Sequence, residues 1–211
     1  MRILKINKEN IKREETRLIG KYLRQGKVVV LPTDTVYGLS CLATSKKGIE
    51  KIHSIKKSDP LKPLIVLLNS YKMLKEYAIV SNKQLQCLRS IWGKLAKKND
   101  FKLEKENKIP VTVVLDKKYK VLKFATAGHE SIAVRLPKDE INDKIIREVG
   151  LPLVSTSLNV SGKGLLTSVD TIEKDFKVKP DLVVDIGRIK KVKPSRLIDI
   201  RDINNIKILR N

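Results

Sequence analysis

Cysteine is nearly missing: Cys41 and Cys87 are the two in 211 residues, and neither belongs to a CxxC pair. That excludes a disulfide framework and leaves both as small buried residues. His53 and His129 stand alone, with no HExxH pattern and no neighbouring ligand cluster, so no protein-held metal is expected. Aromatics are 4% of the chain, and the stacking platforms of single-strand binders are not evident. The longest apolar runs, VVVL and LIVLL, fall far below the roughly 18 residues of a spanning helix. The N-terminus alternates Arg, Lys and Glu with isolated apolars, so it lacks a signal-peptide core. No membrane association is expected, and the chain is expected to be cytoplasmic. The common signatures GxxxxGK[ST], GxGxxG and GxSxG do not occur either, and no catalytic triad can be assembled.

Acidic residues are also scarce: 23 Asp and Glu face 45 Lys and Arg, for a net charge of +22. Such a surface attracts polyanions and binds them by releasing counterions. It equally suits a pocket for a nucleotide triphosphate, and a generally lysine-rich composition gives the same sum. The lysines are scattered through helices rather than gathered in one run, so charge predicts anionic company without naming it.

What is present is a globular pattern, 41% hydrophobic and free of repeats, low-complexity tracts and Gly/Ser linkers. One domain spanning 1–211 is the simplest organisation. Arg2 to Ile6 alternates as a strand. Asn7 offers a cap to a helix whose apolars Ile11, Leu18, Ile19, Tyr22 and Leu23 share a face, and Gly26 closes it. Val28 to Leu31 is a continuous apolar run, as in a strand covered on both sides. Ser45 caps a helix carrying Ile49, Ile52 and Ile55 and ending at Lys56-Lys57. Pro63 to Leu68 is the next strand, and Ser81 caps a helix with Leu85, Leu88, Trp92 and Leu95 inward. After a charged connection from Lys97 to Lys108 come strands at Val111 to Leu115, Ser131 to Leu136 and Leu151 to Ser157, with a helix near Asp139 to Val149 before the last. The final third gives a helix near Val169 to Phe176 and strands around Leu182 to Asp185, Arg196 to Ile200 and Ile206 to Leu209. Interleaved strands and helices indicate an α/β domain around a mixed sheet.

Several strands end in hydroxyls or amides: PTDT after the first buried strand, and STSLNVSG, Ser155 to Gly162, after LPLV. Open α/β sheets bind ligands beyond strand ends, where loops diverge. An ST-turn or a helix cap explains a strand-end Ser or Thr more often than a ligand does. Lys56, Lys57 and Lys62 flank the Pro60 turn, and Arg210 follows the last strand; solvated surface cations are the plain alternative. Arg135 differs, because an arginine in an apolar strand needs an ion pair or a bound anion. Both possibilities stay open at this level.

The segments PTDTVYGL, KKSDPLKPL, SIAVRLP, STSLNVSG and PSRLIDI…ILR follow the order seen in the YrdC/Sua5 family. From about Thr16 to Arg210 the chain resembles the short, single-domain threonylcarbamoyl-AMP synthases of that family. The resemblance implies a YrdC-like α/β fold, a twisted mixed sheet with flanking helices and a concave basic cavity. It implies synthesis of threonylcarbamoyl-adenylate and pyrophosphate from L-threonine, bicarbonate and ATP, with Mg²⁺ carried in by ATP. The product would feed the t6A modification of tRNA through a separate transferase complex. By position, Thr33, Thr35, Tyr37, Arg135, Ser157 and Ser195 fall on the threonine side. Lys56, Lys62, Ser131, Asn159, Thr167 and Arg210 fall on the ATP side, and Lys56 and Arg135 carry the catalytic electrostatics. Longer members have a further C-terminal domain and linker; with this chain ending at Asn211, that lid is expected to be missing and the pocket more open.

Departures from the family pattern keep other readings in view. K-x-R has become Lys56-Lys57-Ser58, PGP-x-T is IPVT, SAN is Ser157-Leu158-Asn159, PST is Pro194-Ser195-Arg196, and Leu67 stands where many relatives have histidine. The loss of the Ser58-position arginine suits a YciO-like paralogue with weak adenylation. Together with the net charge it also suits a non-catalytic module binding tRNA or double-stranded RNA in the same concavity.

Overall fold

The computed structural model describes residues 1–93, 110–189 and 194–211. The expected charged connection from Lys97 to Lys108, along with Leu95 and Ile109, lies outside them. The elements in chain order are β1 (Arg2–Lys5), α1 (Arg13–Arg24), β2 (Val29–Pro32), β3 (Tyr37–Leu42), α2 (Lys46–Lys56), β4 (Ile65–Leu67), α3 (Tyr71–Tyr77) and α4 (Asn82–Trp92). Then follow β5 (Val111–Asp116), β6 (Ser131–Arg135), α5 (Glu140–Val149), β7 (Leu153–Ser157), α6 (Ile172–Asp175), β8 (Leu182–Asp185), β9 (Arg196–Asp199) and β10 (Lys207–Arg210). All strands among the described residues join one mixed sheet in the order β1-β8-β2-β3-β7-β4-β6-β5-β9-β10. β1/β8, β8/β2, β4/β6 and β5/β9 are parallel, and the other neighbours are antiparallel.

The alternation of side chains along each strand sorts the sheet into two unlike faces. On one face Val30, Tyr37, Leu39, Cys41, Val66, Val113, Ile132, Val134, Val154 and Ile198 form a continuous core with α2, α3, α4 and α6. On the other, Val29, Leu31, Leu42, Leu153, Leu182 and Val184 pack against Ile19 and Leu23 of α1 and Ile141, Ile145 and Ile146 of α5. α1 touches β2 and β3 and α5 touches β2, and among the described residues this cluster takes in none from β5, β6, β9 or β10. The second face is therefore roofed on one side and open on the other, and the open part carries Ser131, Ala133, Arg135, Val114, Leu197 and Asp199.

Most elements start and stop where the sequence signals them. The Ser45, Ser81 and Asp139 side chains accept from the backbone N–H of Gly48, Gln84 and Asn142, respectively. Gly26, with φ +70°, ends α1 in the left-handed conformation that glycine tolerates best. Four differences stand out, the first being β3 (Tyr37–Leu42), a strand that was not expected. α1 begins at Arg13 rather than after Asn7, because Asn7 Oδ1 accepts from Glu9 N in a local turn while Glu15 accepts from Lys12 N. α3 was too short to announce itself by periodicity, although Ser70 caps it through Met73 N. The helix expected from Val169 to Phe176 shrinks to Ile172–Asp175, and Lys179 Nζ satisfies its late carbonyls at Ile172, Glu173 and Phe176.

Candidate functional site

On the open part of the sheet lie two hollows that merge into one cleft. The smaller, about 180 Å³, is lined by Thr33, Thr35, Gly38, Arg135, Ser157 and Ser195, among others. The larger, about 580 Å³, is lined by Lys56, Lys62, Ser131, Asn159, His53 and His129, among others, a size typical of small-ligand sites. Ile65, Ser155, Thr156, Ser157 and Arg210 border both. Period-two alternation explains this lining. In β6, Ile132 and Val134 enter the core while Ser131, Ala133 and Arg135 face the cleft. In β7, Val154 enters the core while Ser155 and Ser157 face out. Gly38 pairs with Ser157 across the strands, and a Cβ there would stand 2.5 Å from Ser155 Oγ. Only glycine lets β3 lie that close to the serine row.

Arg135 is the buried charge of the smaller chamber, its side chain 7% exposed. Nη2 donates to Asp34 Oδ1 at 2.6 Å, while Nε and Asp34 Oδ2 are buried without partners. The ion pair is thus real and only half used, and the guanidinium keeps donor capacity for an anion. Asp139 stands near this pair. Its Oδ1 accepts from Asn142 N and Nδ2 at 2.8 and 2.7 Å, and its Oδ2 has no partner, nor has Asn142 Oδ1. Burial pushes the Asp139 carboxyl up from its ordinary value, and the Asp34 charge adds to that.

Lys56, assigned from sequence to phosphate, is buried and fully occupied. Its Nζ donates to Ser157 O, Asn159 O and Asn159 Oδ1 at 2.6, 3.0 and 2.8 Å. An ammonium carries three protons, so each has an acceptor. Ser157 Oγ also donates to Asn159 Oδ1 at 2.7 Å, and Asn159 Nδ2 donates to Val160 O and Lys163 O. Lys56, Ser157 and Asn159 therefore form a clasp that shapes the STSLNVSG loop. Burial, then the neighbouring charge of Lys62, pulls the Lys56 pKa down to about 8.

Arg210 bridges the chambers from the exposed edge strand. Its Nε and Nη2 donate to Ser195 O and Oγ, both at 3.0 Å, and Ser195 Oγ lies 2.9 Å from Thr112 Oγ1. Desolvation, then the nearby positive charge of Arg135, lowers its pKa. It makes no ion pair among the described residues, so of the two neighbouring guanidiniums only Arg135 has a salt-bridge partner, Asp34. That imbalance favours an anion between them.

The remaining assigned residues divide. Lys62 and Ser131 line the larger chamber. Thr35 is buried at the edge of the smaller one, beside Thr33 at 2.9 Å between hydroxyls. Thr33 works as an ST-turn: its Oγ1 donates to Val36 O and accepts from the N–H of Thr35 and Val36. Tyr37 borders the smaller chamber, but its side chain belongs to the core on the opposite face. Its hydroxyl donates to Gly187 O at 2.7 Å and accepts from Ile186 N, and burial raises its pKa to about 12. Thr167 lines neither chamber; its carbonyl accepts from Ile189 N, which sets it apart from the ATP side to which it was assigned.

Sequence reasoning missed other groups on the larger chamber's wall. His53 is buried with Nδ1 2.9 Å from Ser58 Oγ and Nε2 unpartnered, and desolvation lowers its pKa. Arg201 forks onto Asp199, Nε to Oδ1 at 3.1 Å and Nη2 to Oδ2 at 2.7 Å, and these bonds hold the Asp199 carboxyl below its ordinary pKa. His53 sits one helical turn before Lys56 on the buried side of α2, a spacing that would have flagged it. Asp34, flanked by two assigned threonines, is the other signal that was legible and passed over.

Comparisons with known proteins bear on the family and the fold. A family model for Sua5, YciO and YrdC proteins, described as "Telomere recombination", matches residues 21–211. A putative threonylcarbamoyl-AMP synthase of Methanocaldococcus jannaschii is 33% identical over 191 residues, covering 90% of this chain and 82% of that protein. The crystal structure of Pyrococcus abyssi Sua5 complexed with L-threonine superposes with a TM-score of 0.79 at 29% identity, covering 94% of this chain and 54% of that one. The chain thus spans about half the length of the Pyrococcus protein. Escherichia coli YciO shares the fold, with a TM-score of 0.79 at 22% identity over 100% of this chain and 95% of its own. The family match over residues 21–211 and the 33% identity to the Methanocaldococcus protein show that the chain belongs to the Sua5/YciO/YrdC family.

Proposed function

We propose that this protein is an L-threonylcarbamoyladenylate synthase, working as one YrdC-like domain over residues 1–211. It would join L-threonine, bicarbonate and ATP into threonylcarbamoyl-AMP and pyrophosphate, supplying t6A modification of tRNA. The names of the relatives support the reaction, and the threonine complex of the Pyrococcus protein supports the amino-acid site. The observation that carries the reading is the half-used Arg135: a buried guanidinium with an unpartnered Nε, facing a hollow of Ser and Thr side chains. Threonine's carboxylate fits that donor, and Thr35, Ser157 and Ser195 surround it with short polar groups.

The adjoining chamber is sized for a nucleotide, with Lys62, Arg201 and Arg210 on its wall. In the proposed sequence, threonine's amine attacks bicarbonate and water leaves. The carbamate oxygen then attacks the α-phosphorus, and the bond to pyrophosphate breaks. No protein nucleophile is required; positioning and fixed cations supply the rate. Among the described residues no group of three or more His, Cys, Asp or Glu is placed to hold a metal. Mg²⁺ therefore enters this proposal as the nucleotide's own counter-ion. Arg210, at the junction, is placed to stabilise charge shared between carbamate and phosphate, and Lys56 acts through the loop it clasps.

Purified protein given ATP, labelled bicarbonate and threonine should release pyrophosphate only when all three are present. Threonine-independent release would overturn the proposal. Absence of release with retained threonine binding would instead favour a YciO-like chain, a reading for which the fully occupied Lys56 and the serine at position 58 are the specific grounds.

A further inference from the structure

His53 lies on the buried side of α2, 5% exposed, and borders the larger chamber together with Ser58. Its Nδ1 stands 2.9 Å from Ser58 Oγ, and its Nε2 is buried with no partner. The Ser58 hydroxyl makes no other hydrogen bond among the described residues. Backbone geometry ties the two residues a second time. Lys57 ends α2 at φ +49°, and this left-handed step lets Ser58 N donate to His53 O at 3.1 Å. That backbone bond already finishes the helix, so the bond between the side chains adds nothing to the cap. A lysine in the conformation that suits glycine also costs more than glycine would, and such strain gathers at ligand sites.

The unpartnered Nε2 decides which way the Ser58 hydroxyl points. With the proton on Nε2, a buried N–H would lack an acceptor and Nδ1 would take the Ser58 proton. With the proton on Nδ1, the ring donates to Ser58 Oγ and leaves only a lone pair unfilled. A buried donor without an acceptor is the rarer and costlier deficit, so the second tautomer is favoured. The ring is neutral as well. Desolvation lowers its pKa, and Asp59 raises it while Lys56 lowers it further. On the chamber wall Lys56, Lys62, Arg201 and Arg210 face one carboxylate, Asp199, with His129 beside them, a surplus that disfavours another positive charge. A neutral His53 donating to Ser58 leaves the serine a free proton on the chamber side.

We propose that His53 is a positioning residue that makes Ser58 a dedicated hydrogen-bond donor to a phosphate oxygen of the nucleoside triphosphate. The inference rests on the nucleotide reading of the larger chamber and extends it to two residues that the reaction scheme leaves idle. A serine that accepts from a fixed ring N–H loses the option of turning its own proton toward the imidazole. It therefore meets an anion already oriented, without reorganising at the moment of binding. The bond it then makes to phosphate is charge-assisted. A pair that served only to hold the end of α2 would leave nucleotide affinity alone, because the backbone bond from Ser58 to His53 survives either side-chain truncation.

The test is titration calorimetry with α,β-methylene ATP, which binds without reacting, together with nitrogen NMR of the histidine rings. Ser58→Ala should weaken the analogue about tenfold, as loss of a hydrogen bond to a charged group does. His53→Phe should weaken it about threefold to tenfold, and the double variant should bind no more weakly than Ser58→Ala, because the ring acts through the serine. His53→Asn, whose amide places an N–H near Nδ1, should recover most of the loss. Threonine affinity should hold in all of them, and the parent's NMR spectrum should show the His53 proton on Nδ1. Unchanged analogue affinity in Ser58→Ala would overturn the proposal, as would losses that multiply in the double variant or a parallel loss of threonine affinity. A proton on Nε2 would overturn it without any variant having to fold. A parent that binds no nucleotide would overturn it together with the nucleotide reading. Analogue binding in the expected pattern, with no pyrophosphate released from the full substrates, would sink the synthase reading and leave this inference standing.

Discussion

The two chambers of the cleft hold their buried cations in opposite ways. In the smaller, Arg135 faces a carboxylate, Asp34, through one bond and keeps an unpartnered Nε. In the larger, Lys56 meets neutral oxygens only, and all three of its protons are donated. A motif can deliver a cation to a site; its partners decide what it can still do there. Arg135, neutralised yet unsaturated, suits a ligand. Lys56, saturated by the loop, suits a clasp.

The largest expected effect breaks the smaller chamber. Arg135→Ala should lower kcat/KM for threonine by about 2–5 kcal/mol in transition-state terms, because it leaves Asp34 and the substrate carboxylate without their cation. An unchanged kcat/KM would remove Arg135 from the threonine site. Next comes the clasp. Lys56→Met strands three acceptors and should cost about 2–4 kcal/mol of stability in urea unfolding at pH 7. Its pH dependence tests the same residue differently. The folded pKa of about 8 lies below the unfolded value of about 10.4. Between the two, the unfolded chain holds more protons, so wild-type stability relative to Lys56→Met should rise with pH across that window. A flat difference would mean that the three oxygen bonds outweigh burial and keep the pKa near its ordinary value.

Two smaller changes sharpen the contrast. Gly38→Ala places a Cβ 2.5 Å from Ser155 Oγ. Because a hydroxyl can rotate away, a penalty of about 1–2 kcal/mol is expected, read as a raised KM for threonine with KM for ATP unmoved. Equal effects on both would show that the chambers are not separate in binding. Ser58→Arg adds a guanidinium to the wall of the larger chamber and should lower KM for ATP about fivefold, within the range of a partly exposed ion pair. No change would mean that the wall already neutralises the phosphates.

Much of this was legible in the chain because local rules and tertiary context agreed. Ser45, Ser81 and Gly26 marked their helices, and the apolar runs of β2, β4 and β8 found covered places. Where tertiary partners decide, the sequence was silent. Asn7 is as good a cap by type as Ser45, but the helix begins at Arg13, with Glu15 accepting from Lys12 N. Tyr37, expected on the threonine side, does border that chamber, but its hydroxyl crosses to Gly187 on a distant loop. Lys56 and Asn159 were read as separate ligand contacts, yet they bond each other across 103 residues. No spacing rule reveals such a pair; it exists only once α2 and β7 share the cleft.

The central claim is that the smaller chamber holds threonine on Arg135 while the larger holds the nucleotide above an undisturbed clasp. The most direct measurement is a crystal structure with L-threonine and a non-hydrolysable ATP analogue. The expected result places the threonine carboxylate on Arg135, the phosphates beside Lys62 and Arg210, and Lys56 Nζ still on Ser157 and Asn159. Threonine bound away from Arg135, or Lys56 swung from the loop onto phosphate, would contradict it.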